Sequence, residues 1–92
     1  MNEDENRFEG LVRRMEGNPA FWAWALLRHR QLTGLTEAGQ AGLLHTSAEG
    51  LTTLAMCKAP RPDHREEDIA AVARRSGADP DALTAVLNSL QL

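Results

Sequence analysis

The stretch Leu35-Thr36-Glu37-Ala38-Gly39-Gln40-Ala41-Gly42-Leu43-Leu44-His45-Thr46-Ser47-Ala48-Glu49-Gly50-Leu51-Thr52-Thr53-Leu54-Ala55 decides the fold. Ala41 and Leu44 share one face of a first short helix, and Ser47 is of the type that caps a second. Leu51, Leu54 and Ala55 then repeat at i, i+3, i+4 and pack back against the first. Two helices over 36–44 and 48–56, joined by a tight turn, make a helix-turn-helix. Gly39, Gly42 and Gly50 lie inside these helices, where each costs about 1 kcal/mol against alanine. Neither helix is expected to survive alone.

Outward from this pair the periodicity stays helical. Phe8, Leu11, Val12 and Met15 form an i, i+3, i+4, i+7 stripe, an amphipathic helix ended by Gly17. Asn18-Pro19 reads as an N-cap followed by proline at the first helical position, opening a helix that runs to about Leu32. That helix is apolar on two sides, with Trp22 and Leu26 on one and Ala23, Trp24 and Leu27 on another. The first side is expected in the core; the second is expected under the 8–15 stripe, or under a second chain. Pro60 and Pro62 end the 48–56 helix. Asp63 with Glu66 reads as a capping box for a further helix carrying Ile69, Val72 and Ala73, stopped by Gly77. Asp79-Pro80 starts the last helix, with Leu83, Val86, Leu87 and Leu90. Leu26, Ala41, Leu44, Leu51, Leu54, Ile69, Val72, Leu83, Val86 and Leu87 are the expected core. The division is an N-terminal amphipathic extension over 1–18 and a helix-turn-helix domain over 19–92.

At 92 residues and 42% hydrophobic content the chain has material for one compact, modestly stable domain. No apolar run approaches the roughly 20 residues a membrane span needs, and the first residues are acidic where a secretory signal is basic, so a cytoplasmic protein is expected. The lone Cys57 excludes an internal disulfide. The net charge of −3 disfavours indiscriminate attraction to nucleic acid. It is unevenly spread: Arg28, Arg30 and Lys58 outnumber Glu37 and Glu49 across 21–60, whereas both flanking segments carry an excess of acid.

The register of the central stretch resembles the lambda-repressor-like (Cro/cI, xenobiotic-response-element type) domain over 26–90. Leu35, Thr36, Ala41, Leu44, Ser47, Leu51 and Leu54 fill that family's slots, and Arg30 stands where it often has an arginine at the end of its first helix. The resemblance implies an all-α fold of five helices, here with an additional N-terminal helix, and insertion of the 48–56 helix into the major groove of double-stranded DNA. Thr36 and Ser47 would steer it from helix N-termini; Arg28, Arg30, Lys58, Arg61 and Arg65 would meet phosphates, with homodimerisation needed for useful affinity. The chain also departs from the pattern. Gln40 replaces a common leucine, His45-Thr46 replaces Gly-Val in the turn, and Glu37 replaces a glutamine that touches DNA. The face that would enter the groove is Ser47, Ala48, Glu49, Gly50, Thr52 and Thr53, without the arginine, lysine, asparagine or glutamine that supply most bidentate base contacts.

A protein partner is therefore the alternative to DNA. Ala38, Gly39, Gly42, Ala48 and Gly50 would let another backbone approach closely, and the Trp22/Trp24 helix offers aromatic anchors. Nothing in the sequence points to catalysis. Cys57 sits at a helix C-terminus, which disfavours a thiolate; His29, His45 and His64 have no metal-ligand spacing with it; and Glu66-Glu67-Asp68 is explained by a helix start. A non-enzymatic regulator with no cofactor, metal or membrane association is expected. The sign of the charge around the 48–56 helix separates the two readings: a positive rim favours DNA, a neutral or negative one a protein.

Overall fold

The computed structural model describes residues 3–91, with side chains from residue 10 onward. Its helices are α1 (Glu3–Glu16), α2 (Trp22–Thr33), α3 (Glu37–Leu43), α4 (Ala48–Ala55), α5 (Arg65–Ser76) and α6 (Pro80–Ser89), with a 3-10 turn at Pro62–His64. The protein is all-α, and among the described residues the sole β-type pairing is an isolated antiparallel bridge between Phe21 and Lys58. The ten expected core residues all fall in one buried cluster, joined by Trp22, Ala23, Ala25, Ala55, Cys57, Ala73 and Ala78. α3 and α4 are only seven and eight residues long, so their stability comes from this shared burial and not from helix propensity.

Two expected helix starts are corrected. Asn18-Pro19 does not open α2; the Asn18 side chain accepts from the Ala20 N–H at 3.0 Å and holds a turn. Phe21 is extended, not helical, because the segment after α4 pairs with it: the Trp22 N–H donates to the Cys57 carbonyl at 2.9 Å, and the Ala59 N–H to the Ala20 carbonyl at 2.7 Å. Nor does Asp63 cap α5. It lies within the 3-10 turn, where Pro62 fits the first position, and the side chain that organises this corner is Asp68, which accepts from the Arg61 backbone N–H at 2.9 Å. Asp79-Pro80 does start α6, but among the described residues Asp79 makes no side-chain cap; its N–H instead donates to the Leu44 carbonyl at 2.9 Å.

The α3–α4 turn is fixed from the α5–α6 corner. His45 takes the left-handed backbone, φ 59°, which glycine would adopt more cheaply. Thr46 turns inward, and its hydroxyl donates to the Ser76 carbonyl at the end of α5. Gly50 is the third member of this contact. A Cβ there would collide with the Thr46 hydroxyl and the Ser76 carbonyl oxygen, so Gly50 is buried against α5 and is not on the open face of α4 as expected.

α1 packs against both α2 and α4. Val12 and Met15 lie half-buried against the core, whereas Leu11 is exposed and the Phe8 side chain lies outside the described residues. Trp22 and Leu26 are fully buried; Trp24 is half-buried against the core edge, with the Arg28 guanidinium 4.8 Å from its ring centroid.

The glycines make a direct test of this packing. Gly50→Ala should destabilise by about 1–3 kcal/mol through overpacking. Gly42→Ala, with open space around it in a helix interior, should stabilise by up to about 1 kcal/mol. A urea midpoint for Gly50→Ala that was unchanged or raised would refute the close approach at Gly50.

Candidate interaction groove

The residues that begin α3 and α4 use their hydroxyls locally. Thr36 Oγ1 accepts from the Gly39 N–H at 3.1 Å, and Ser47 Oγ from the Gly50 N–H at 3.0 Å, the bonds that make each an N-cap. Glu37 and Glu49 stand exposed in the two first turns, where helix dipoles favour negative charge. Thr52 and Thr53 donate back to the Ala48 and Glu49 carbonyls, both at 3.1 Å, so the donor of each hydroxyl is engaged within α4.

The cations are not gathered around α4. Arg61 binds both carboxylate oxygens of Asp68, at 3.0 and 3.1 Å, and these bonds, with that from its backbone N–H, hold the Asp68 carboxyl down to about 2. Arg65 donates to the Asn88 side chain at 3.0 Å, and Arg28 lies over Trp24. Lys58 is exposed just beyond α4. Arg30, expected on a phosphate, is turned inward to a buried polar network.

At the centre of that network is Gln40, which has no exposed surface. Its amide nitrogen donates to the Leu26 carbonyl at 2.9 Å and lies 3.0 Å from His29 Nδ1, while its oxygen accepts from Arg30 Nη1 at 2.6 Å. The amide orientation follows from its neighbours: a carbonyl can only accept and a guanidinium can only donate. His29 must then accept at Nδ1, which requires a neutral ring carrying its proton on Nε2. Burial first, and the nearby Arg30 charge second, lower the His29 pKa below its ordinary value of 6.5 and favour that form. Arg30 Nη2 continues to Glu16 at 3.0 Å, tying the end of α1 to α2 and α3.

With α1 held there, an open groove of about 900 Å³ lies between it and the α3–α4 pair. Val12, Ala38, Ala48, Leu51 and Met56 supply its apolar surface; Arg13, Glu16, Glu37 and Glu49 supply its charge, with Thr52 and Thr53 between them. Of the residues proposed from sequence, the groove thus gathers Glu37, Ala48, Glu49, Thr52 and Thr53, flanked by the capping Thr36 and Ser47. Arg28, Arg30, Lys58, Arg61 and Arg65 do not line it. Ala38, expected from sequence on the protein-partner reading, also lines it, whereas Val12, Arg13, Glu16, Leu51 and Met56 were not expected there; the opposite charges of Glu16 and Arg30 and the polar Gln40 on an apolar face were the available signals. No family model, curated protein or solved structure matches the chain. Among the described residues no cluster of His, Cys, Asp or Glu is placed to hold a metal, and no helix is long and apolar enough to cross a membrane.

The network carries a pH signature. A histidine whose native pKa lies below 6.5 leaves the unfolded chain binding more protons once the pH falls under that value, so stability should be level above it and decline below it. His29→Gln keeps an acceptor for the Gln40 amide and removes the titration. Denaturant titrations from pH 7.5 to pH 5.5 should show the wild type losing stability relative to this variant; parallel profiles would contradict the neutral, buried imidazole.

Proposed function

We propose that this chain is a small non-enzymatic adaptor, built on a lambda-repressor-like helix-turn-helix arrangement of α2–α6, that uses the α3–α4 surface and the flanking α1 to bind a protein. The observation that carries the reading is the charge at the two helix N-termini. Glu37 and Glu49 occupy the first turns of α3 and α4, positions from which a DNA-binding domain of this kind would approach phosphates. Carboxylates there repel a phosphate and already satisfy the helix dipoles.

Two further features support it. Arg30 is committed to a largely buried network, and the charge of Arg61 is offset by Asp68, which weakens the pull of either on a phosphate. α1 lies beside α4, with Val12, Arg13 and Glu16 lining the same groove, and it would meet a duplex brought up to that face. The apolar lining has the character of a protein interface, whose central contacts are desolvated and whose charges lie at the rim. No cofactor or metal is part of this reading.

Retention of a random double-stranded DNA library at 50 and 200 mM salt tests it against the nucleic-acid alternative. The adaptor retains no duplex at either concentration. Binding that weakens steeply with salt, as several phosphate contacts require, would overturn the reading. On the positive side, a partner cross-linked from position 52 should re-form the complex from the two purified proteins. Ala48→Arg, which fills the groove, should weaken that complex at least tenfold.

A further inference from the structure

The occupant of the groove can be specified from its walls. α1, α3 and α4 spend their backbone hydrogen bonds internally, and among the described residues there is no strand edge at the groove with which an extended peptide could pair. A helical segment brings its own backbone bonds and needs only a complementary surface. Leu51 is buried, Val12 and Met56 are half-buried, and the small exposed Ala38 and Ala48 leave room for a second helix to come close.

The charges are distributed with a direction. On the α3–α4 side stand the exposed Glu37 and Glu49; on the α1 side stands the exposed Arg13. Glu16 is neutralised by Arg30 and adds little net charge. Charge at an interface rim governs choice and orientation of partner more than raw affinity. We infer that the groove binds an amphipathic helix of another protein, with an apolar stripe edged by lysine or arginine along the side that meets Glu37 and Glu49. This specifies the partner class for the adaptor reading and rests on it.

A displayed library of 18-residue helical peptides tests the inference on the full chain. The apolar stripe is fixed as leucine and alanine, and both flanking edges are randomised among lysine, glutamine and glutamate. Selected binders should carry lysine along one edge, and replacing that edge by glutamate should weaken binding at least tenfold. Glu37→Lys combined with Glu49→Lys should lose the lysine-edged peptide by a similar factor and prefer the glutamate-edged one. Both differences should shrink as salt rises. Both glutamates are exposed, and an unchanged far-UV circular dichroism spectrum confirms the variant's fold; Ala48→Arg is the independent block, expected to abolish either peptide. Enrichment of glutamate-edged peptides, no edge preference, no enrichment at all, or undiminished binding to the charge-reversed variant would overturn the inference. Those outcomes leave the adaptor reading standing, whereas salt-dependent retention of DNA removes that reading itself.

Discussion

The buried amide of Gln40 is the constraint on which the arrangement of α1, α2 and α3 depends. A primary amide taken out of water is costly unless its donors and acceptor are met, and here Leu26, His29 and Arg30 meet them. All three lie on α2, so the amide fixes the approach of α3 to that helix. Because Arg30 answers the amide oxygen with one nitrogen, its other reaches Glu16 from a guanidinium that is already oriented. The pair is largely screened from solvent, and removing one partner would leave a partly buried charge without its counterpart.

That geometry changes what the α3–α4 face can do. An arginine at the end of α2 with its guanidinium in water would be available to a phosphate; this one is satisfied within the protein. Its ion pair also holds α1 along the side of α4, and the face becomes a groove bounded by helices on both sides. On the opposite side, Thr46, Gly50 and Ser76 press α4 against the end of α5, so α4 is fixed from two directions. Helices of seven and eight residues can keep a definite surface only under such external constraints.

The sequence makes the periodic part of this structure legible. Leu44, Leu51 and Leu54 are buried as their spacing requires, Gly17 and Gly77 mark the ends of α1 and α5, and Ser47 caps α4. What it hides are contacts between residues far apart in the chain. Gln40 reads as an anomaly on an apolar face until its partners on α2 are known, and Glu16 is separated from Arg30 by a turn whose path depends on the Phe21–Lys58 bridge. Gly50 reads as a helix-weakening residue or an open contact surface, because nothing local announces the Ser76 carbonyl above it. Arg61 reads as a surface cation until Asp68, one helix further on, is found to clasp it. Charge read residue by residue thus placed a weakly basic surface where folding turns Arg30 inward onto Glu16 and leaves Arg28 and Lys58 balanced by the exposed Glu37 and Glu49.

The most direct test of this dependence is native-state hydrogen exchange on Arg30→Met, which keeps the length of the side chain and removes the guanidinium. If the Gln40–Arg30–Glu16 chain positions α1, the amides of residues 10–16 should lose protection selectively, while those of α5 and α6 keep theirs. Unchanged exchange across residues 10–16 would contradict it, and would mean that Val12 and Met15 hold α1 in place by apolar packing alone.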